Sequence, residues 1–270
     1  MRRAQKHFGQ NDMLRRAAAS YLLAPSHAKA VLIGRQYALV GRPTHRLQEH
    51  RLQITIANVL TATELADVRV QLAAMAFEDG RLTAGWNSRL VKNNHQASAS
   101  GALSAMRDMV SAAILRHPVF DLAVRPKALT PLLFSRTGVS EWYGTHVDSA
   151  LMDGMRTDVA FTLFLSDPGA YDGGALVIES AAGDDAHKLP AGHIVVYPAT
   201  ALHRVETVTR GERLVVVGWA RSHIRDAADR ELLFDLDTAR RRIFDQHGKT
   251  AEFDLLSKCL ANLMRRWVDD

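Results

Sequence analysis

Residues 157–179 read TDVAFTLFLSDPGAYDGGALVIE and contain two β-rich runs, at 157–165 and 175–179. Two turn signals separate these runs, Asp-Pro-Gly at 167–169 and Asp-Gly-Gly at 172–174. β-Branched and aromatic residues favour strands, whereas Gly, Pro and Asp favour tight turns. The stretch therefore predicts two short strands joined without an intervening helix.

The same alternation of β-rich runs and turn signals continues on both sides of this stretch, between Pro131 and Trp219. Further β-rich runs lie at 132–134, 194–197 and 214–219, and further turn signals lie at 183–185, 190–192 and 210–211. Strands at this spacing without helices between them indicate a sandwich or jelly roll rather than a parallel βαβ sheet.

Helical patterns flank the β-rich region. Thr61 or Thr63 is expected to cap a helix that runs to about Phe77, and a second helix is expected at about 100–117. Leucine-rich helical segments return after Ser222. The predicted fold class is therefore α+β with a mainly β core, a double-stranded β-helix (jelly roll) braced by N- and C-terminal helices.

The chain of 270 residues fits one folded domain with attachments. We predict a basic extension at 1–52 and a main domain at 53–222, followed by a C-terminal helical segment at 223–270. Within the main domain, 53–125 is expected to give helical support and 130–222 to form the jelly-roll core. The extension is interpreted as a disordered arm, a weak targeting segment or translation from a start codon upstream of the true one.

The charge distribution argues against a nucleic-acid partner. The formal net charge is +5, but residues 1–51 hold ten basic and two acidic residues. The remaining 219 residues carry 24 basic and 27 acidic residues, so the folded body has no basic bias. No segment approaches the roughly 20 consecutive apolar residues of a membrane helix, so we expect no membrane partner either.

The single cysteine, Cys259, cannot form an internal disulfide. Its expected role is that of a buried structural thiol, and nothing in the sequence suggests an oxidising compartment. A cytoplasmic location follows as an expectation.

One group of residues predicts a metal site. His146 and Asp148 lie two residues apart, and His203 follows 57 residues after His146, just beyond a predicted strand. Alternate residues of a strand point to one face, so the first pair can reach one ion. Alone, a His-x-Asp tripeptide is usually a surface or hydrogen-bonded pair. Two imidazoles and one carboxylate can, however, form the facial triad of non-haem Fe(II) oxygenases, which leaves adjacent positions open.

Arg213 lies ten residues after His203. A buried guanidinium presents a planar fork that pairs with a carboxylate through two charge-assisted hydrogen bonds. A 2-oxoacid that chelates iron needs such a clamp at its far end. Without the triad, Arg213 would be interpreted as an ordinary strand or turn arginine.

Several ordered blocks resemble the bacterial PKHD-type hydroxylases, which are Fe(II)- and 2-oxoglutarate-dependent dioxygenases of the prolyl-hydroxylase-like group. The similarity runs from about Gln53 to the C-terminus. It rests on VKNN (91–94), YGTHVD (143–148), RTD (156–158), TLFLSDP (162–168), YDGG (171–174), KLPAG (188–192), LHRV (202–205), VTRG (208–211) and LFDLD (233–237).

This resemblance implies that His146, Asp148 and His203 are the catalytic iron ligands and that Arg213 binds 2-oxoglutarate. It also implies a double-stranded β-helix and ascorbate as the agent that keeps the iron reduced. The sequence departs from the family pattern at two positions. Thr137 stands where relatives have Tyr in the motif Phe-Asn-Arg-Tyr, and Thr145 stands where relatives have Phe directly before the first iron ligand.

The predicted function is therefore hydroxylation of an unidentified small-molecule or peptidyl substrate, with release of succinate and CO2. A free amino acid, a peptidyl proline and a siderophore all remain open as substrates. One alternative is a non-catalytic, cupin-like sensor of iron or a 2-oxoacid. Another is a metal-dependent isomerase or hydrolase, which would use the triad without the clamp. A homodimer through the C-terminal helices is also expected.

Overall fold

The computed structural model describes residues 53–269, together with the backbone of two short strands at 31–33 and 36–38. The predicted extension at 1–52 otherwise lies outside the described residues. The helices are α1 Ala62–Ala73, α2 Gly101–Leu115, α3 Pro118–Val124, α4 Ala227–His247 and α5 Ala251–Trp267. Short 3-10 turns lie at Gly80–Thr83, Ser88–Val91 and Pro168–Ala170.

Nineteen strands lie in the described parts of the chain. Those before the central region are β1 Val31–Ile33, β2 Gln36–Ala38, β3 Ile54–Ile56, β4 Phe77–Asp79, β5 Lys92–Asn93, β6 His95–Ala97, β7 Pro126–Leu129 and β8 Leu133–Thr137. The others are β9 Trp142–His146, β10 Leu151–Met152, β11 Met155–Arg156, β12 Val159–Phe164, β13 Tyr171–Gly173, β14 Leu176–Ser180, β15 Gly183–His187, β16 Ile194–Pro198, β17 His203–Val205, β18 Val208–Gly211 and β19 Arg213–Ser222.

Two antiparallel sheets face each other. The larger has the order β3-β16-β12-β19-β8-β6-β4, with β7 also paired to β19, and the smaller has the order β15-β14-β17-β9-β5. This mixed α+β arrangement confirms the predicted jelly roll and its flanking helices. The segment 53–125 is more than helical support, because it supplies β3 and β4 at opposite edges of the larger sheet as well as β5 and β6.

Strand β12 explains why the central stretch is apolar throughout. All six of its residues are buried, because the larger sheet is covered on both faces. Val159, Phe161 and Leu163 belong to the core shared with helices α1, α2 and α3. Ala160 and Phe164 belong to a second core between the two sheets. The strand thus separates a structural core from the interior in which the site lies.

The supporting helices begin where the sequence predicts. Thr61 forms a capping box with Glu64 at the start of α1, and Ser100 caps α2. The end of α1 was predicted wrongly, because the helix stops at Ala73 and Phe77 instead opens strand β4. That strand pairs with β6, so long-range sheet pairing overrides local helical periodicity.

The C-terminal helices α4 and α5 pack around Ile224, Leu233 and Leu260. Cys259 is exposed, so its predicted role as a buried thiol is wrong. The cysteine precedes Leu260 on α5, and adjacent helical residues point about 100° apart. Within residues 53–269, no helix combines the length and apolar character needed to cross a membrane.

Gly218 in β19 is expected to tolerate no side chain. A Cβ at this position would lie 2.5 Å from Phe161 Cζ and 2.6 Å from Leu132 Cδ2. Overpacking a core costs about 1–3 kcal/mol, so Gly218→Ala should lower the free energy of unfolding by that amount in a denaturant titration. Gly101→Ala is the matched control, because no atom would lie within 4 Å of its Cβ. An unchanged stability for Gly218→Ala would contradict the tight packing.

Candidate functional site

Three side chains converge between the sheets. His146 ends strand β9 and His203 begins strand β17, and the two are direct partners in the antiparallel pairing. Asp148 lies just after β9, so the loop following the strand, rather than the strand itself, presents its carboxylate. Asp148 Oδ1 is 4.0 Å from His146 Nε2 and 3.8 Å from His203 Nε2. One ligand atom from each residue lies within 4.8 Å of the others, which is close enough for all three to bind one ion.

Backbone contacts orient both imidazole rings. His146 Nδ1 lies 2.9 Å from the Gly144 carbonyl, and His203 Nδ1 lies 3.0 Å from the Ala201 carbonyl. A carbonyl only accepts hydrogen bonds, so each Nδ1 carries the proton. Each Nε2 is then left as a lone-pair donor directed toward Asp148, which is the usual arrangement of metal-binding histidines.

Aromatic side chains hold the histidines from behind. The Tyr143 ring stacks on His146 at a centroid distance of 3.7 Å and an interplanar angle of 15°. The Tyr197 ring contacts the edge of His203 at 5.2 Å. No role for these tyrosines follows from the sequence, although Tyr143 lies inside the YGTHVD block at 143–148 that carries the family resemblance. The stacking fixes ring orientation and limits water access.

Enclosure also sets the protonation states. Burial lowers the pKa of His146 to about 3, and the nearby His203 acts in the same direction. Burial raises the pKa of Asp148, while His203 and the Trp219 indole oppose this shift. Asp148 Oδ2 is buried and has no hydrogen-bond partner among the described residues. A neutral imidazole beside a buried carboxylate oxygen without a partner fits a divalent cation, which would restore the carboxylate charge.

Arg213 begins strand β19 and is only 3% exposed. Its guanidinium lies over the Phe164 ring at 5.5 Å. Gly174, in the left-handed region at φ +63°, allows this approach, since a Cβ there would lie 3.3 Å from Arg213 Cδ and 3.1 Å from the Tyr171 ring. Burial lowers the pKa of Arg213, and the hydroxyls of Tyr171 and Tyr197 oppose the shift.

No carboxylate of the described residues lies within 4.0 Å of the Arg213 guanidinium, and Arg213 Nε is buried without a hydrogen-bond partner. A buried unpaired cation is costly, and a bound carboxylate would remove that cost. The structure thus places Arg213 where an anionic ligand can be clamped through two parallel hydrogen bonds.

The triad and Arg213 share one cavity of about 160 Å³. Strands of both sheets and the segment 83–88 form its wall. The lining residues include Thr83, Ser88, Lys92, Asn94, Gln96, Ser135, Tyr143, Met152, Thr162, Leu176, Tyr197, Val217 and Trp219. Trp219 is both a packed strand residue and a wall of the cavity.

The positions that depart from the family pattern have ordinary structural surroundings. Thr137 is buried and pairs in register with Arg213. Thr145 is exposed, and its hydroxyl donates to Glu179 Oε1 at 3.3 Å. Neither departure disturbs the triad.

Comparisons with known proteins agree with this geometry. Residues 132–221 match the 2OG-Fe(II) oxygenase superfamily, and residues 227–269 match the PKHD-type hydroxylase C-terminal domain. The fold and the site thus define a 2-oxoglutarate- and Fe(II)-dependent oxygenase.

Similar proteins of known family identify the group within this class of oxygenases. A PKHD-type hydroxylase from Acaryochloris marina is 53% identical over 217 residues, which cover 80% of this chain and 99% of that protein. One from Crocosphaera subtropica is 50% identical over 220 residues, with coverage of 80% and 99%. A crystal structure of a 2OG-Fe(II) oxygenase family oxidoreductase from Burkholderia pseudomallei shares 16% identity, covers 62% of this chain and 82% of that chain, and has a TM-score of 0.49.

The chain belongs to the PKHD-type hydroxylase family. It is a 2-oxoglutarate-dependent hydroxylase, with Fe(II) as its metal and 2-oxoglutarate as its co-substrate. The resemblance identified from the sequence is thereby confirmed.

Proposed function

We propose that His146, Asp148 and His203 bind Fe(II) on one face and that Arg213 binds the distal carboxylate of 2-oxoglutarate. The observation that supports this most strongly is the cluster of unpartnered buried groups. Among the residues that the structure describes, Asp148 Oδ2 and Arg213 Nε both lack hydrogen-bond partners, although native proteins satisfy most buried polar atoms. A cation at the first and an anion at the second would satisfy both.

The donor set suits Fe(II), because two imidazoles and one carboxylate leave adjacent coordination positions for a chelating oxoacid and dioxygen. Iron held there with 2-oxoglutarate would activate dioxygen, which is the oxidant: one oxygen atom would enter succinate as 2-oxoglutarate loses CO2, and the other would enter the hydroxylated C–H bond. The protein contributes orientation. The Gly144 and Ala201 carbonyls hold the imidazole Nδ1 protons, and Tyr143 and Tyr197 shield the rings from water.

We further propose a catalytic domain at 53–222 and a helical segment at 223–270, a division supported by the boundary between the two family matches. Ascorbate is proposed as the reductant that maintains Fe(II), and the cytoplasm as the location. A homodimer through α4 and α5 is supported by exposed apolar side chains on these helices. These are Leu232, Phe244 and Leu255, which are 51%, 50% and 59% exposed.

The substrate is proposed to be a small molecule or a peptidyl group. Large apolar side chains are exposed on the segment 80–91, which also lines the cavity. These are Leu82, Trp86 and Leu90, at 68%, 82% and 77% exposure. A substrate with an apolar portion would find a contact surface there.

Purified protein with Fe(II), 2-oxoglutarate and O2 should form succinate slowly even without substrate. A chelator or the exclusion of O2 should each reduce this rate to background, and ascorbate should prolong it. Succinate measured by mass spectrometry is the readout. Binding of 2-oxoglutarate without O2-dependent succinate, with any candidate substrate, would favour the sensor alternative. Turnover under anaerobic conditions would favour an isomerase or hydrolase.

A further inference from the structure

Lys92 is a buried cation in the cavity wall that the proposed metal and co-substrate sites do not use. It lies on β5, pairs in register with Tyr143 of β9, and is 7% exposed. Its Nζ lies 5.3 Å from the centroid of the Tyr143 ring and donates to Thr83 Oγ1 at 3.2 Å.

The surroundings of Lys92 hold the ammonium at this position. The Thr83 hydroxyl accepts the hydrogen bond from Lys92 Nζ, and its own proton can be donated to the Gly80 carbonyl or to Gln96 Oε1. Gly80 leaves space for the lysine, since a Cβ there would lie 3.1 Å from Lys92 Cε and closer still to Asn94. A long side chain confined in this way has already lost its conformational entropy, so a ligand can bind it at little further entropic cost.

No carboxylate of the described residues lies within 4.0 Å of Lys92 Nζ. An ammonium has three N–H donors, and only the bond to Thr83 is made within the described part of the chain. Burial lowers the pKa of Lys92 to about 8, against the attraction of Asp148 and Asp79, and a carboxylate bound to the amine would favour its charged form. Buried charges are normally paired, so Lys92 requires an anion.

With iron and 2-oxoglutarate bound, the charges in the cavity would not sum to zero. Ferrous iron contributes two positive charges, and Arg213 and Lys92 contribute one each. Asp148 supplies one negative charge and 2-oxoglutarate two. One positive charge is left over, which a substrate carboxylate would neutralise.

Lys92 and Arg213 lie on different walls. Arg213 belongs to the larger sheet and contacts Phe164 and Tyr171, whereas Lys92 belongs to the smaller sheet and contacts Tyr143 and Thr83. The two cations therefore have no neighbour in common among these contacts. A co-substrate held at its distal end by Arg213 and at its oxoacid end by iron leaves Lys92 for a different molecule.

We propose that Lys92, supported by Thr83, binds a carboxylate of the substrate, which makes this enzyme a hydroxylase of carboxylate-bearing molecules. This inference rests on the proposed metal and co-substrate sites. The geometry favours a free acid or an acidic side chain over a neutral amide, because the ammonium donates charge-assisted hydrogen bonds to a carboxylate and a neutral amide lacks the opposite charge.

The test uses full-length protein loaded anaerobically with Fe(II) and saturating 2-oxoglutarate. Propionate and propionamide are the probes, because they have nearly the same shape and differ in charge. Binding is measured by titration calorimetry. Propionate should bind more tightly than propionamide, and Lys92→Met should lower the affinity for propionate at least tenfold while leaving that for propionamide unchanged. Lys127→Met, at an exposed lysine, is the matched control and should change neither affinity.

A second variant and a second measurement keep the outcomes distinct. Thr83→Val retains Lys92 and removes only its hydrogen-bond partner, so it should weaken propionate binding less than Lys92→Met does. The visible absorption band of the Fe(II)–2-oxoglutarate chelate should titrate with the same 2-oxoglutarate affinity in Lys92→Met as in the unmodified protein. Equal propionate affinity with and without Lys92 would overturn the proposal, as would a tenfold loss of 2-oxoglutarate affinity in Lys92→Met. Absence of the band from the unmodified protein would instead count against the proposed metal and co-substrate sites.

Discussion

Asp148→Ala is expected to abolish O2-dependent succinate formation and to lower iron affinity by at least about 100-fold. Even partners that only orient a metal ligand contribute 10–100-fold to affinity or activity, and Asp148 would supply the only anionic ligand of the three. The physical reason lies in the geometry, since both histidine Nε2 atoms lie within 4.0 Å of Asp148 Oδ1. Iron affinity can be measured by anaerobic titration, and turnover by mass spectrometry of succinate.

The unfolding temperature of the metal-free protein distinguishes a loss of iron binding from a loss of folding. One oxygen of the buried Asp148 carboxylate has no partner in the described part of the chain, so removal of this carboxylate should not lower the unfolding temperature of the metal-free protein. Iron at 100 times its dissociation constant stabilises a native protein by about 2.7 kcal/mol, and this gain should disappear in the variant. His187→Ala removes a buried histidine outside the site and should retain iron binding. Retention of iron-induced stabilisation in Asp148→Ala would contradict the assigned ligand.

Arg213→Met is expected to weaken 2-oxoglutarate binding by about 2–5 kcal/mol, the usual cost of removing one member of a buried hydrogen-bonded charge pair. Each 1.4 kcal/mol is a factor of ten, so the dissociation constant should rise roughly 30-fold or more. Iron affinity should change little, because Arg213 is not among the residues that can share the metal. The ferrous chelate band, titrated with 2-oxoglutarate, measures the effect.

In the absence of 2-oxoglutarate, Arg213→Met should make the folded protein more stable. No carboxylate of the described residues pairs with the buried Arg213 guanidinium, so replacing it by the uncharged, unbranched side chain of methionine removes a desolvation cost and should raise the unfolding temperature without ligand. Arg210→Met is the matched control three residues away, because Arg210 is exposed and pairs with Asp172. The control should keep its 2-oxoglutarate affinity. An Arg213→Met protein that binds 2-oxoglutarate as tightly as the control would exclude the clamp.

Local sequence determined which segments become strands and which chemistry their ends carry. Alternating and fully apolar runs, punctuated by Gly, Pro and Asp, predicted the β-rich region, and Thr61 and Ser100 marked two helix starts. The His-x-Asp pair, the later His203 and Arg213 indicated an iron and oxoacid site. These signals are readable because turn formation, capping and metal-ligand type depend on a few neighbouring residues.

Tertiary structure decided how those pieces meet. The pairing of His146 with His203, the stacking of Tyr143 and the confinement of Lys92 depend on strand register between segments far apart in sequence. The same long-range pairing converts Phe77 from a helical position into a strand, and the packing of α5 leaves Cys259 exposed. Enclosure between two sheets then sets the charges. Burial shifts the pKa of His146 and Lys92 because solvent is excluded there, and solvent exclusion is a property of the assembled fold rather than of any segment.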